Sequence, residues 1–261
     1  MVGSKELWRY KMAEKQKFPT EVVDLPSKGK FYSSDSPLSS GKIEIKYMTA
    51  REEDILTSQN LIKKGVVIEK LLDSLIVTEG VTLDDLLIGD KNAVMVASRI
   101  LAYGPEYPVE IIDPNTQEKF THTFNLADCP FKEIPKDVKS NNFEFGLPVS
   151  KVKVGFKLLT GKEERLITDE LNSFNKVNSL VSKEITTRLR HTITSIDGKT
   201  EISIINEFVE NLLARDSLAL RNEIARISPD IVLTQEVERG GEAVSVSIPI
   251  TVEFFWPTTT A

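Results

Sequence analysis

The 261-residue sequence predicts an α+β fold, two tandem α+β repeats behind an extended N-terminal arm, on three observations. First, Lys42 to Leu56 meets Lys153 to Ile167 without a gap when shifted by 111 positions (153 − 42). In both copies an alternating strand (Ile43, Ile45, Tyr47; Val154, Phe156, Leu158) runs into Thr-x-x-Glu. That tetrad is a capping box, in which the Thr hydroxyl accepts from the N–H three residues on and the Glu reaches back to the Thr N–H. Second, each copy is followed by apolar stripes at helical spacing. Third, each closes in two strand-like runs around a turn, the pattern of a β-ribbon.

Taken in order, residues 1–20 form a charged arm whose apolar members include Leu7, Trp8 and Tyr10, and a Trp in such a tail anchors against a partner chain or against the protein's own body. The first repeat covers 21–126. Val22 to Pro26 is a short extended piece, and Ser33 to Gly41 is a Ser/Pro/Gly loop before the first strand. Ile68, Leu71, Leu72, Leu75 and Ile76 mark a helix ending near Gly80. Asp90 is the expected N-cap of another helix, which Gly104-Pro105 terminates. Two strands then flank the turn Asp113-Pro114-Asn115-Thr116. Residues 127–142, with Pro130 and Pro135, are the expected linker.

The second repeat covers 143–257, with a tail at 258–261. Phe143 to Pro148 echoes Val22 to Pro26 before the second strand and capping box. Ile185, Leu189, Ile193 and Ile196 give a helical stripe ending at Asp197-Gly198. Leu212-Leu213-Ala214-Arg215-Asp216 matches Leu86-Leu87-Ile88-Gly89-Asp90 at a shift of 126 (216 − 90), and a further helix runs to about Arg226. A ribbon from about Ile231 to Trp256 turns at Arg239-Gly240-Gly241. Its last strand alternates Val244, Val246, Ile248, Ile250, Val252, Phe254 and Trp256 along one face, and Pro249 suits an edge position. Two readings stand side by side: an edge strand whose Phe254, Phe255 and Trp256 recruit a neighbouring chain, or aromatics that close the repeat's own core. The candidate partner-binding residues are therefore Leu7, Trp8, Tyr10, Phe254, Phe255 and Trp256.

Bulk properties narrow the function. With 33 Lys and Arg against 39 Asp and Glu, the formal charge is −6, which disfavours an electrostatic nucleic-acid binder. No apolar run reaches the roughly 18 residues of a membrane span, the N-terminus lacks a signal-type apolar core, and the single Cys129 excludes a disulfide framework, so a reducing cytoplasm is expected. His122 alternates with Phe120 and Phe124 as a half-buried structural residue, and His191 lies off its helix's apolar stripe. The acidic clusters at Glu52-Glu53-Asp54, Asp84-Asp85 and Glu163-Glu164 sit at helix starts, where the dipole favours negative charge. Walker-type, Gly-x-Ser-x-Gly and His-Glu-x-x-His patterns are absent from the chain. No enzyme, cofactor or metal site is expected.

Leu25-Pro26-Ser27-Lys28-Gly29, Tyr47-Met48-Thr49-Ala50-Arg51-Glu52-Glu53-Asp54, Asp84 to Asp90, Ser98 to Tyr107 and the terminal Phe254-Phe255-Trp256-Pro257 together resemble the baseplate hub assembly family of T-even-type contractile-tailed bacteriophages. The resemblance spans about residues 22–257. It implies a non-enzymatic protein that helps build the central hub of the tail baseplate, as a chaperone-like factor or minor component. Its partners would be other hub or tape-measure chains, in the cytoplasm of the infected bacterium or the virion baseplate. The family's first ribbon is associated with Cys-x-x-Cys pairs. Here the plain turn at 113–116 stands instead, which argues against a metal-stabilised ribbon. The alternatives are a permanent module of another contractile or secretion-type machine and, third, an enzyme.

Overall fold

The structure is a computed structural model that describes residues 18–112, 117–177, 182–239, 242–250 and 252–256. Leu7, Trp8 and Tyr10 of the arm, the turns at 113–116 and 240–241, and the tail lie outside the described residues. Among those described are eight α-helices and four small antiparallel sheets, the expected α+β class.

Thr20–Asp24 (β1) pairs antiparallel with Lys42–Lys46 (β2), and the alternation of β2 turns Ile43 and Ile45 into the core. β2 then leads into Ala50–Thr57 (α1), followed by Gln59–Lys63 (α2) and Val67–Leu75 (α3). The helix predicted to include Ile76 stops one residue short of it. Ile76 instead bridges to Ile45, and the Val77 N–H donates to the Glu44 carbonyl at 3.0 Å. Ile88–Tyr103 (α4) leads to the ribbon Glu106–Ile112 (β3) with Lys119–Asn125 (β4).

In the second half Phe143–Gly146 (β5), Lys153–Phe156 (β6) and Ile193–Ile196 (β7) form one sheet in that order. β6 leads into Gly161–Val177 (α5), then Glu184–Thr192 (α6). Ile193 and Ile196, predicted on a helical stripe, belong to β7. The run Thr192-Ile193-Thr194 is β-branched and favours extended backbone, and β6 offers it a partner strand. Ile202–Glu210 (α7), Ala214–Ile227 (α8) and the ribbon Thr234–Arg239 (β8) with Glu242–Ser247 (β9) complete the chain. The long final strand is also corrected. It ends at Ser247, two residues before Pro249, which has no N–H for a ladder, and Val252–Phe255 winds into a 3₁₀ turn.

Asp90 is the third residue of α4 rather than its N-cap, a place taken by Leu87. Its buried carboxylate leaves the helix altogether. One oxygen accepts the Ser27 N–H at 2.9 Å and the other the Tyr32 O–H at 2.6 Å. Tyr32 Oη in turn accepts the Leu87 N–H at 2.9 Å, pinning the 27–32 loop to the start of α4. Asp216, third in α8, plays the same part and accepts the Val149 and Ser150 N–H groups at 2.8 and 2.9 Å.

Two hydrophobic cores form, and neither follows the sequential halves. The first gathers Ile45, Leu72, Leu86 and Phe124 but also Val237, Ile248, Phe254 and Phe255 from the C-terminal ribbon and turn. The second, around Val154, Phe156, Leu189 and Leu220, takes in Phe31 and Leu87 from the first half. The stretch expected as a linker is part of the join. Phe131 bridges to Ile231, with Lys132 N–H to Asp230 O and Val232 N–H to Pro130 O both at 2.8 Å.

Candidate functional site

The capping boxes come first, since they orient the helices around the site. In the first, Glu52 Oε2 accepts the Thr49 N–H at 2.9 Å and the Thr49 O–H at 2.5 Å, while Oε1 takes Lys46 Nζ at 2.8 Å. In the second, Glu163 Oε2 accepts the Thr160 N–H at 2.9 Å, and Lys157 Nζ lies 2.6 Å from Oε1. Burial alone would raise the Glu163 carboxyl, but the hydrogen bonds from Lys157 and Thr160 outweigh it and hold the group at about 2. These acids are structural anions, as the capping chemistry anticipates, and each adds a lysine that the Thr-x-x-Glu pattern does not reveal.

The halves meet where backbone approaches backbone. Leu87 and Thr160 form a β-bridge, and the Gly161 N–H donates to Leu86 O at 2.9 Å. A Cβ on Gly161 would stand 2.5 Å from Leu83 O, and one on Gly89 only 1.8 Å from Pro229 O. The positions that the sequence shifts of 111 and 126 set against them, Ala50 and Arg215, carry side chains. Glycine thus enters where the other half presses close. Asn92 Nδ2 donates to Asp230 Oδ1 at 3.0 Å, and Arg165 pairs with Asp84 at 2.5 Å across the same seam.

Beside this seam lies a cleft of about 390 Å³. Its first-half wall is Leu87, Ile88 and Gly89, and the remainder comes from the 157–159 segment, α5, α6, α8 and the Ser228-Pro229 turn after it. Leu158, Leu189 and Ile224 line it with apolar surface, and Ile185 is half-exposed among its lining residues. Arg188 pairs with Glu164 at 2.5 Å and with Glu184 at 3.4 Å. Arg221 also lines the cleft but makes no ion pair among the described residues.

The C-terminal candidates divide. Phe254 and Phe255 are buried in the first core, with the Phe254 ring edge-on to Tyr107 at 5.0 Å, whereas Trp256 is 42% exposed. Burying each phenylalanine contributes about 1.5–3 kcal/mol. The segment is fastened by Arg99, a buried guanidinium whose Nε donates to Phe254 O at 2.9 Å and whose Nη1 donates to Gly104 O at 3.1 Å. Tyr103 and Tyr107 flank it at 5.1 and 5.8 Å. Arg99 lies in the Ser98 to Tyr107 block, but an arginine inside a helix carries no local sign that it will be buried.

The other titratable candidates have structural surroundings. Burial pushes the Cys129 thiol up despite a 3.3 Å contact from Gln235 Nε2. His122 stacks edge-on to Phe124 at 4.7 Å, and His191 lies 3.3 Å from Glu170. Among the described residues no three His, Cys, Asp or Glu side chains are grouped to hold a metal, and no helix is long and apolar enough to cross a membrane.

The profile of the family described as T4 bacteriophage base plate protein matches residues 18–256, well over half of the chain. The chain belongs to that family. A role in the phage baseplate, among other phage proteins, follows from this membership. The matched span takes in the seam and Trp256 along with both cores. No curated protein and no solved structure matches the chain.

Proposed function

We propose that this baseplate protein acts in building the central hub of the tail, engaging hub or tape-measure chains in the cytoplasm of the infected cell. The observation that carries the reading is the open apolar cleft at the seam, on a framework whose halves are tied together by hydrogen bonds and shared cores. A chain that must hold partners in register needs a rigid body with an unfilled apolar recess, and this arrangement supplies one. Trp256, exposed beside a segment fixed by Arg99, is a second point of contact. The work is binding, with no catalytic step assigned to the chain, and it suits a chaperone-like factor or a minor component.

The test has two readouts. Tagged full-length protein from infected cells should co-purify with hub or tape-measure proteins. Mass spectrometry of purified virions then separates the roles: stoichiometric peptides mark a component, their absence an assembly factor. Failure to co-purify with any tail protein would refute the reading.

A further inference from the structure

We propose that the seam cleft receives a segment of a partner protein that carries an apolar anchor followed closely by a carboxylate, an inference that rests on the hub-building role above. Shape and charge argue for this occupant together. The recess of about 390 Å³ has the size and apolar lining of a site for a few side chains, and half-exposed Ile185 adds apolar surface to it. Such a lining stands exposed to water at a cost unless something apolar covers it.

The charges then restrict the occupant. Lys157 is satisfied by Glu163, and Arg188 lies between Glu164 of α5 and Glu184 of α6, so two carboxylates already share that one guanidinium. Arg221, projecting from α8 with no ion pair among the described residues, is the cation left over. The cleft is therefore polarised, cationic at α8 and anionic at the start of α6. An acid on the incoming segment gains a forked partner at Arg221 and avoids Glu184 only in one orientation, which sets the direction in which the segment lies. A basic or purely apolar segment lacks that match. The cleft draws on residues from both halves, so it exists only in the assembled two-core fold.

A photo-crosslinking experiment tests this in infected cells, using the full chain with p-benzoylphenylalanine at position 185 or, as a control outside the cleft, at Ile202, which is 75% exposed. The expected result is a crosslink from 185, and none from 202, to one tail protein at apolar residues within a few positions of an Asp or Glu. Arg221→Glu should lower its yield by roughly tenfold, as expected for an interfacial arginine. Replacing the partner's acid with Lys should restore it. Arg221 is exposed, so an unchanged melting temperature for Arg221→Glu verifies that the fold is intact. Equal crosslinking from 202, crosslinks only to a second copy of this chain, or a yield indifferent to Arg221→Glu would each overturn the proposal. If co-purification with tail proteins persists in those cases, the hub-building role stands and only the cleft is removed from it.

Discussion

Replacing Arg99 with Met should loosen the C-terminal turn and cost about 3 kcal/mol. Two donated bonds, to Phe254 O at 2.9 Å and Gly104 O at 3.1 Å, would be lost, leaving their carbonyls short of a partner at about 1 kcal/mol each. The contact to Glu106 O at 3.5 Å adds little. Loss of the stacking on Tyr103 and Tyr107 adds about 0.5–1 kcal/mol each. Relief of the buried charge, visible in the lowered guanidinium pKa caused by burial, offsets part of that sum. For a chain of this length the loss corresponds to a melting temperature lower by roughly 6–12 °C. Arg99→Lys should recover only part, because an ammonium lacks the fork that reaches separate carbonyls. Denaturant unfolding measures the energy, and limited proteolysis near Trp256 reports release of the turn. A variant within about 0.5 kcal/mol of the parent, its C-terminus equally protected, would refute the assignment of Arg99 as the fastening.

Three further outcomes are expected. Glu163 has a folded pKa of about 2 against an ordinary value of 4.5, so its contribution is fully present above the higher value and disappears as pH falls through the lower. Discounted for the part-exposed Lys157, that contribution is on the order of 2 kcal/mol. Glu163→Gln should remove this much stability at pH 7 and flatten the acid side of a stability–pH curve; an unchanged curve would count against the charged capping box. Gly89→Ala should cost about 2 kcal/mol or more, because the new Cβ meets Pro229 O and the seam must part; calorimetry checks it. Asp90→Asn keeps one acceptor but sets an amide against Tyr32 Oη, and should cost about 1–2 kcal/mol with a change in tyrosine near-UV circular dichroism.

What the sequence discloses is what neighbouring residues decide among themselves. Strand into Thr-x-x-Glu is legible because the alternation and the Glu-to-Thr N–H bond both lie within a dozen residues. Ile193 and Ile196 are spaced from Ile185 as on a helix, but the β-branched run around Ile193 and pairing with β6 set them in a strand. Asp90 stands where a cap is expected, yet its partners Ser27 and Tyr32 are some 60 residues away. The last strand ends early for a similar reason: Phe254 and Phe255 are drawn into the first core, where Arg99 meets the Phe254 carbonyl.

The cleft was hidden because its walls are contributed by Leu87, Leu158, Ile185 and Ile224, each from a separate segment. One signal pointed to it. Gly89 and Gly161 stand where the sequence shifts set Arg215 and Ala50, and each glycine marks a place where backbone comes close. Of the trio Phe254, Phe255 and Trp256, offered by the sequence as the end of an edge strand, Trp256 is the member left facing solvent.

Electron microscopy of tail structures from cells infected with phage lacking this chain is the most direct test of the hub-building role. The account predicts intact heads and missing or incomplete baseplate hubs, restored when the full chain is supplied in trans. Complete, hub-bearing baseplates in its absence would contradict it.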